Sequence, residues 1–301
     1  MRFALMIEGQ EGVGWDDWRR LAGLAEAHGY DALLRSDHYL SVDDRRERGA
    51  LDAWGTICAL APLTQRIRLG TLVSPVTFRP AAVLAKLALT ADHVSGGRID
   101  VGMGTGWWQA EHELFGFPFP PLGERMDELE RQLVEVQRLW RETGPAPVQR
   151  PRPRLVMGGR ARPRGARLAA RHADEYNVIG ESPEACARHR AALDAACAAE
   201  GRDPATLRLS LMAGFAIGRD GAEVRERMAR LADRSGEEGG ADALVERRRD
   251  GWLFGTPAQV AERLREYGRA GVERVVLQHH LFDDDDAVAL IGGELIPALS
   301  V

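Results

Sequence analysis

The segment 67–108 does most to limit what this chain can fold into. It reads IRLGTLVSPVTFRP, then a helical run, then SGGRIDVGMGTGWW. Twice, a short apolar strand stops abruptly in small, Gly-rich or Ser/Thr-rich residues, and a helix follows. Parallel strands need such crossovers between them, and repetition of the unit builds a parallel sheet or barrel. In a barrel of this kind the ligand site lies at the carboxyl ends of the strands.

The same unit recurs along the chain. Strand-like apolar runs fall at 3–8, 32–34, 67–72, 98–103, 155–157, 173–179, 207–213 and 272–278. Helical runs are expected at 15–28, 51–63, 80–94, 111–115, 124–140, 163–172, 183–200, 257–270 and 285–299. In the first of these, Trp18, Leu21, Leu24 and Ala25 recur at helical spacing, and Gly29 stops the run. Pro80 sits where a helix tolerates proline, in its first turn. The four prolines within 143–153 exclude regular structure there, and 41–49 reads as a polar, charged loop. Eight strands alternating with helices predict an α/β chain folded as a (β/α)8 TIM barrel, one domain over 1–301. Residues 218–251, GRDGAEVRERMARLADRSGEEGGADALVERRRDG, fit badly. They are too long for a connection, so a helical insertion is expected between strand seven and the last helix–strand unit. It reads either as a solvated surface helix or as a lid over the barrel mouth.

Composition narrows the function classes. Of 301 residues, 45% are hydrophobic and 28% charged, and the net charge is −5. That balance does not suit nucleic acid as a main partner. No apolar run approaches the roughly 20 residues of a membrane helix. The start, MRFALMIEG, enters a strand-like run without a signal-peptide pattern, so cytoplasmic residence is the expectation. Cys58, Cys186 and Cys197 are odd in number and lack CxxC spacing. Neither a disulfide framework nor a zinc site is expected.

The strand ends carry the candidate chemistry. They place Glu8; Ser36, Asp37 and His38; Thr71, Ser74, Thr77 and Arg79; Thr105, Gly106, Trp107 and Trp108; Gly158, Gly159 and Arg160; Asn177; and Gln278, His279 and His280. Asp37-His38 is the best acid/base pair, because an imidazole titrates near neutrality and a carboxylate can tune it. The turn from Gly102 through Gly104 to Gly106 suits an anionic ligand approaching backbone N–H groups, although its spacing is not that of a dinucleotide fingerprint. Gly158-Gly159-Arg160, with Arg162 and Arg164 beyond, suits a phosphate or is a solvated basic loop. Glu111-His112 and His279-His280 resemble metal pairs only superficially, since neighbours on a helix diverge, and no metal site is expected. No GxSxG elbow or P-loop is present.

Taken together, these segments resemble the bacterial luciferase-like superfamily, and within it the oxidoreductases that depend on the deazaflavin coenzyme F420. The resemblance lies in SDH at 36–38, IRLGTLVSPVTFRP at 67–80, LAKLALTADHVSGGRIDVGMGTGW at 84–107, EHELFGFPFPPLGERMDELE at 111–130, ARLAARHADEYNV at 166–178 and the closing GTPAQVAERLREYGRAGVERVVL. It implies a TIM barrel that takes F420 or FMN at its C-terminal face. By that resemblance Ser36, Asp37 and His38 lie beside the flavin ring. Thr71, Leu72 and Val73 form a bulge behind it, with a non-prolyl cis peptide near Leu72-Val73. Gly104, Thr105, Gly106 and Trp107 contact the coenzyme tail, and Gly158, Gly159 and Arg160 hold its phosphate. Trp107 stands where related sugar-phosphate dehydrogenases carry a catalytic Glu, so their substrate chemistry is not implied.

The expected activity is hydride transfer between F420 and a small organic substrate, with His38 moving a proton and Asp37 tuning it. An FMN-dependent monooxygenase using oxygen and a partner reductase is the alternative. A coenzyme-binding protein without turnover is the third. Relatives are often dimers, and the apolar FGFPFPPLG stretch suits a homodimer interface or packing on its own barrel.

Overall fold

The strands of the computed structural model all pair in parallel, and the sheet closes on itself. The structure describes residues 1–42 and 45–299, so residues 43 and 44 of the expected polar loop lie outside the described residues. In chain order the elements begin β1 (Arg2–Ile7), α1 (Trp15–Ala27), β2 (Ala32–Arg35), α2 (Ala53–Leu60), β3 (Arg68–Thr71), β4 (Ser74–Pro75), α3 (Ala81–Ser95) and β5 (Ile99–Gly104). Next come α4 (Gln109–Phe115), α5 (Leu122–Glu142), β6 (Arg154–Gly158), α6 (Pro163–His172), β7 (Glu175–Ile179) and α7 (Pro183–Ala199). The chain ends with β8 (Arg208–Ile217), α8 (Gly221–Ser235), α9 (Gly240–Arg248), β9 (Leu253–Gly255), α10 (Pro257–Arg269), β10 (Val272–Gln278) and α11 (Asp285–Leu290). The barrel runs β1-β2-β3-β5-β6-β7-β8-β10 and back to β1, with β4 continuing the line of β3 against β5. This is the expected (β/α)8 architecture.

Alternation along each strand sorts residues between two cores. Phe3, Leu5 and Ile7 of β1 pack outward against the helices, as do Leu209, Leu211, Ala213, Phe215 and Ile217 of β8. Ala4, Met6, Ala32, Leu34, Leu72, Val156, Met212 and Val276 fill the barrel itself. The inward positions form layers. Charged residues occupy the amino end, among them Arg68, Asp100, Glu175 and Arg274. Small and polar residues fill the middle, where Asn177 donates to Ser210 (2.9 Å). Met6, Leu34, Leu72 and Met212 cap the carboxyl end with an apolar layer.

Helix starts follow the chemistry of their first residues. Asp52 accepts from Gly55 N–H at the head of α2 (2.7 Å), and Asp220 accepts from Ala222 N–H at the head of α8 (2.7 Å). Pro163, Pro183 and Pro257 occupy first turns. Two expectations about extent are corrected. Strand seven does not stop at Ala213: β8 continues to Ile217, and β9 pairs with the extension. The tail is not one helix over 285–299, because Ile291–Leu295 forms a π-turn before Ile296–Leu299. Pro297 lacks the N–H that an uninterrupted α-helix would use, and a wider turn accommodates it. The insertion consists of α8 and α9. No helix among the described residues is long and apolar enough to cross a membrane.

Candidate active site

The apolar carboxyl-end layer is the floor of a cavity of about 610 Å³, within the range of small-molecule and cofactor sites. Leu72, Val73 and Met212 line its base. Ser36, His38, Pro75, Gly106 and Trp107 line one wall, and Ile179, Leu231, Leu244, Trp252 and Phe282 the other.

His38 follows β2 directly. Its Nδ1 lies 2.7 Å from Glu111 Oε2. Glu111 sits in the first turn of α4, fully buried, and its Oε1 accepts from the backbone N–H groups of Tyr39 (2.5 Å) and Leu40 (3.1 Å). These donors fix the carboxylate as an acceptor, so His38 Nδ1 carries a proton, and Nε2 is the ring nitrogen without a hydrogen-bond partner among the described residues. Burial alone would depress the His38 pKa. The hydrogen bond and charge of Glu111, with smaller contributions from Glu8 and Asp37, more than offset this and raise it.

Asp37 acts on His38 only through its charge, while the hydrogen-bonded carboxylate is Glu111. Asp37 Oδ2 accepts from Ser74 Oγ (2.5 Å) and Arg79 Nη1 (2.6 Å), and Oδ1 accepts from Arg79 Nη2 (3.1 Å). Successive residues leaving a strand point to opposite sides, so Asp37 turns into the protein while His38 turns to the cavity. Thr71 belongs to the same buried cluster: its hydroxyl donates to Gly102 O and lies 3.1 Å from Ser74 Oγ. Neither Asp37 nor Thr71 lines the cavity. Together they anchor the Leu72–Val73 segment, whose peptide bond is cis, as the resemblance implies.

The loop after β5 completes that wall. Gly104 lies under Val73, and a Cβ there would come within 2.5 Å of Val73 Cγ2. Trp107 is 63% exposed at the rim and stacks on Trp108 (5.9 Å, 17°), while both rings meet His38 edge-on. His112 holds this loop, with Nδ1 2.7 Å from Trp108 O and Nε2 2.7 Å from Thr77 Oγ1. Glu111 and His112 thus diverge, one towards His38 and the other towards the loop. Arg125 donates to Gly106 O (2.9 Å).

Gly158, Gly159 and Arg160 stand beside the cavity and do not line it. Gly159 N–H donates to Asn177 O and Ala161 N–H to Tyr176 Oη, both at 3.0 Å. Arg164 pairs with Asp127 and Glu130. Arg160 and Arg162 have no acidic partner among the described residues. Ser36 belongs to a polar chain across the strand tips: it donates to Gln10 Oε1 (2.5 Å), and Gln10 and Gln278 both donate to Glu8. His279 stacks on Phe215 (5.3 Å) and His280 on Trp252 (5.0 Å). Burial pushes the pKa of His279 down to about 3 and lowers that of His280, so both are uncharged at neutral pH.

The sequence model of the luciferase-like monooxygenase family matches residues 1–274. The chain belongs to this family. An FMNH2-dependent dimethylsulfone monooxygenase of Pseudomonas putida is 26% identical, over 96% of this chain and 89% of that protein. The crystal structure of monooxygenase RslO1 from Streptomyces bottropensis superposes with a TM-score of 0.81 at 24% identity, over 99% of both chains. An F420-dependent secondary alcohol dehydrogenase, solved with an F420–acetone adduct, superposes equally well (TM-score 0.81) at 16% identity, over 100% of this chain and 99% of that one. At these identities the superpositions establish the fold. The proteins this chain resembles include users of both coenzymes, so membership of the luciferase-like monooxygenase family supports an enzyme of the oxidoreductase or monooxygenase kind and leaves the coenzyme open.

Sequence reasoning brought Ser36, His38, Leu72, Val73, Gly106 and Trp107 to the cavity, and all six line it. It missed Glu111 as the partner of His38. The signal was present in the EHELFG segment, but only the fold brings residue 111 next to residue 38.

Proposed function

We propose that this protein is an F420-dependent oxidoreductase that transfers a hydride between the deazaflavin and a small organic substrate. The observation that carries the reading is His38, held by Glu111 at Nδ1 and left with a free Nε2 in a wall of the cavity. The cavity also fits the coenzyme: its volume admits a tricyclic ring, and the Leu72–Val73 ridge offers an apolar support. Ser36, Leu72, Val73, Gly106 and Trp107 would hold the ring and the start of its tail. When bound, F420 supplies the hydride at its C5. His38 Nε2 takes or gives the accompanying proton at the substrate heteroatom. The apolar walls exclude water from the transfer. Arg160 and Arg162, without acidic partners, suit a tail carrying several negative charges better than a single phosphate requires.

A second reading is an FMN-dependent monooxygenase, favoured by the kinship with the dimethylsulfone enzyme over most of both chains. Titration of the purified protein with F420 and, separately, FMN, followed by fluorescence, decides between them. Micromolar F420 binding with weak FMN binding is expected. Preference for FMN, with oxygen consumption once a reductase is supplied, replaces the first reading with the second. Binding of neither overturns both.

A further inference from the structure

The insertion contributes a cation that the fold leaves unneutralised. Four arginines line the cavity on the insertion side: Arg48, Arg234, Arg247 and Arg248. Arg48 pairs with Glu11 and Arg247 with Glu237. Arg234 donates to Glu11 O and lies over the Phe282 ring at 4.7 Å. Arg248 has no acidic partner among the described residues. Its guanidinium lies 5.5 Å from the centre of the Trp252 ring, an arrangement that holds a cation without neutralising it.

The mounting of that cation is built rather than incidental. Trp252 lies across β8 at Gly214, where any Cβ would collide with the indole. Gly251 packs on the backbone of Gly180, which leaves no room for a side chain there. Gly251 and Trp252 both donate to Arg248 O (3.1 and 2.9 Å), and Tyr267 Oη donates to Asp250 O (3.0 Å). His280 stacks on Trp252 (5.0 Å, 11°). The end of α9 is therefore clamped to the tips of β7, β8 and β10, and Arg248 projects from the clamp. Beside it the wall is apolar, formed by Ile179, Leu231, Leu244 and Phe282.

We propose that this corner is the substrate's anion subsite: Arg248 takes the carboxylate or sulfonate of an organic anion whose apolar body lies along Trp252, Leu231 and Leu244. The inference deepens the proposed function and rests on its placement of substrate in this cavity. A guanidinium beside an apolar wall pairs with a carboxylate or sulfonate through two N–H groups while the hydrophobic remainder is buried. His280, kept neutral by burial, neither competes with the anion nor repels Arg248. The insertion is thus the specificity element of the barrel mouth.

The test uses two fluorescent probes of matched shape on the full chain, 8-anilino-1-naphthalenesulfonate and the uncharged N-phenyl-1-naphthylamine. In Arg248→Ala the sulfonate's affinity falls about tenfold, the loss expected for one charge-assisted contact, while that of the neutral probe stays within twofold. Arg248→Lys recovers part of the loss, and the wild-type preference for the sulfonate shrinks as salt rises. Equal weakening of both probes, or of neither, overturns the subsite. F420 and FMN are titrated into the same variants. If Arg248→Ala weakens the coenzyme and spares the sulfonate, the anion belongs to the coenzyme tail and the substrate subsite is wrong, with the proposed function intact. If the wild type binds neither coenzyme yet discriminates between the probes, the proposed function fails and the subsite stands.

Discussion

The two ends of the barrel use the same kinds of charged residue in opposite ways. At the amino end, Arg274 meets Asp31, Asp100 and Glu175 at 3.2 Å each, Arg68 and Arg154 converge on Asp100, and Arg208 reaches Glu175. Each of these charges has an opposite partner within the cluster. At the carboxyl end, Asp37 is likewise absorbed by Arg79. Among the described residues, however, His38 Nε2 has no hydrogen-bond partner, and Arg160, Arg162 and Arg248 have no acidic one. Desolvating a charge is costly, and an ion pair repays that cost only when its partners are present. The amino end therefore behaves as a structural plug. The arginines of the carboxyl end are exposed, so water carries their charge and they remain open to an anion. Position in the barrel sorts stability from function more sharply than residue type does.

The comparison breaks most readily at Asp100. Burial raises its pKa, but Arg68, Arg274 and Arg154 overcome this and hold it far below the usual carboxylate range. Asp100→Ala leaves three arginines facing one another, and a loss of about 3–5 kcal/mol is expected, as for one partner removed from a buried pair. Chemical denaturation measures it, and a loss under about 1 kcal/mol would mean the plug is not structural. The sign with pH follows. With its folded pKa depressed, Asp100 stabilises the fold above its unfolded value near 4, and the contribution disappears as pH falls through the folded value. The wild type should lose stability below pH of about 4 more steeply than the variant does.

His38→Ala should invert that pattern. Turnover falls by ~10²-fold or more, as for loss of a general acid or base. Coenzyme affinity stays within a few-fold, and the two backbone donors that Glu111 keeps limit the loss of stability. Steady-state kinetics and a coenzyme titration on one preparation separate these effects. A fall in coenzyme affinity alone would assign His38 to binding rather than proton transfer.

The sequence carried the barrel well and the site in part, for one physical reason. Strand and helix patterns are local, so the eight barrel strands could be read from 67–108 outward. Contacts between strand ends are not local. Asp37 is adjacent to His38 in sequence yet points to Arg79, while Glu111, distant in sequence, supplies the carboxylate. The end of strand seven was misread for a related reason. Gly214, just past the expected end at 213, is the clearance Trp252 needs to lie across a strand that continues to Ile217. Arg248 could not be singled out within a highly charged insertion, because its lack of an acidic partner among the described residues depends on how α8 and α9 pack.

Glu111→Gln sharpens the contrast at the carboxyl end. The amide keeps the shape but loses the charge that raises the His38 pKa. Turnover at neutral pH should fall by about tenfold, and the limb of the kcat profile that reports His38 should move to lower pH. A purely structural defect would lower kcat at every pH and leave the limb in place. Stability supplies an independent sign. A raised folded pKa contributes stability that is full below the unfolded value near 6.5 and fades as pH rises through the folded value. The stability gap between wild type and variant should therefore be widest on the acid side and narrow towards alkaline pH, the reverse of Asp100.

The smallest expected effect lies at Arg160 and Arg162, because exposed cations interact through water and are screened by salt. Each change to Ala should weaken F420 binding by about threefold at low ionic strength, with the double variant roughly additive. The difference should vanish near 1 M salt, where the screening length falls to about 3 Å. FMN, with one phosphate, should lose less. The size of that gap between coenzymes, more than either affinity, reports whether these arginines await a long anionic tail. Equal losses for both coenzymes would reduce the pair to a generic phosphate contact and remove the structural ground for preferring F420.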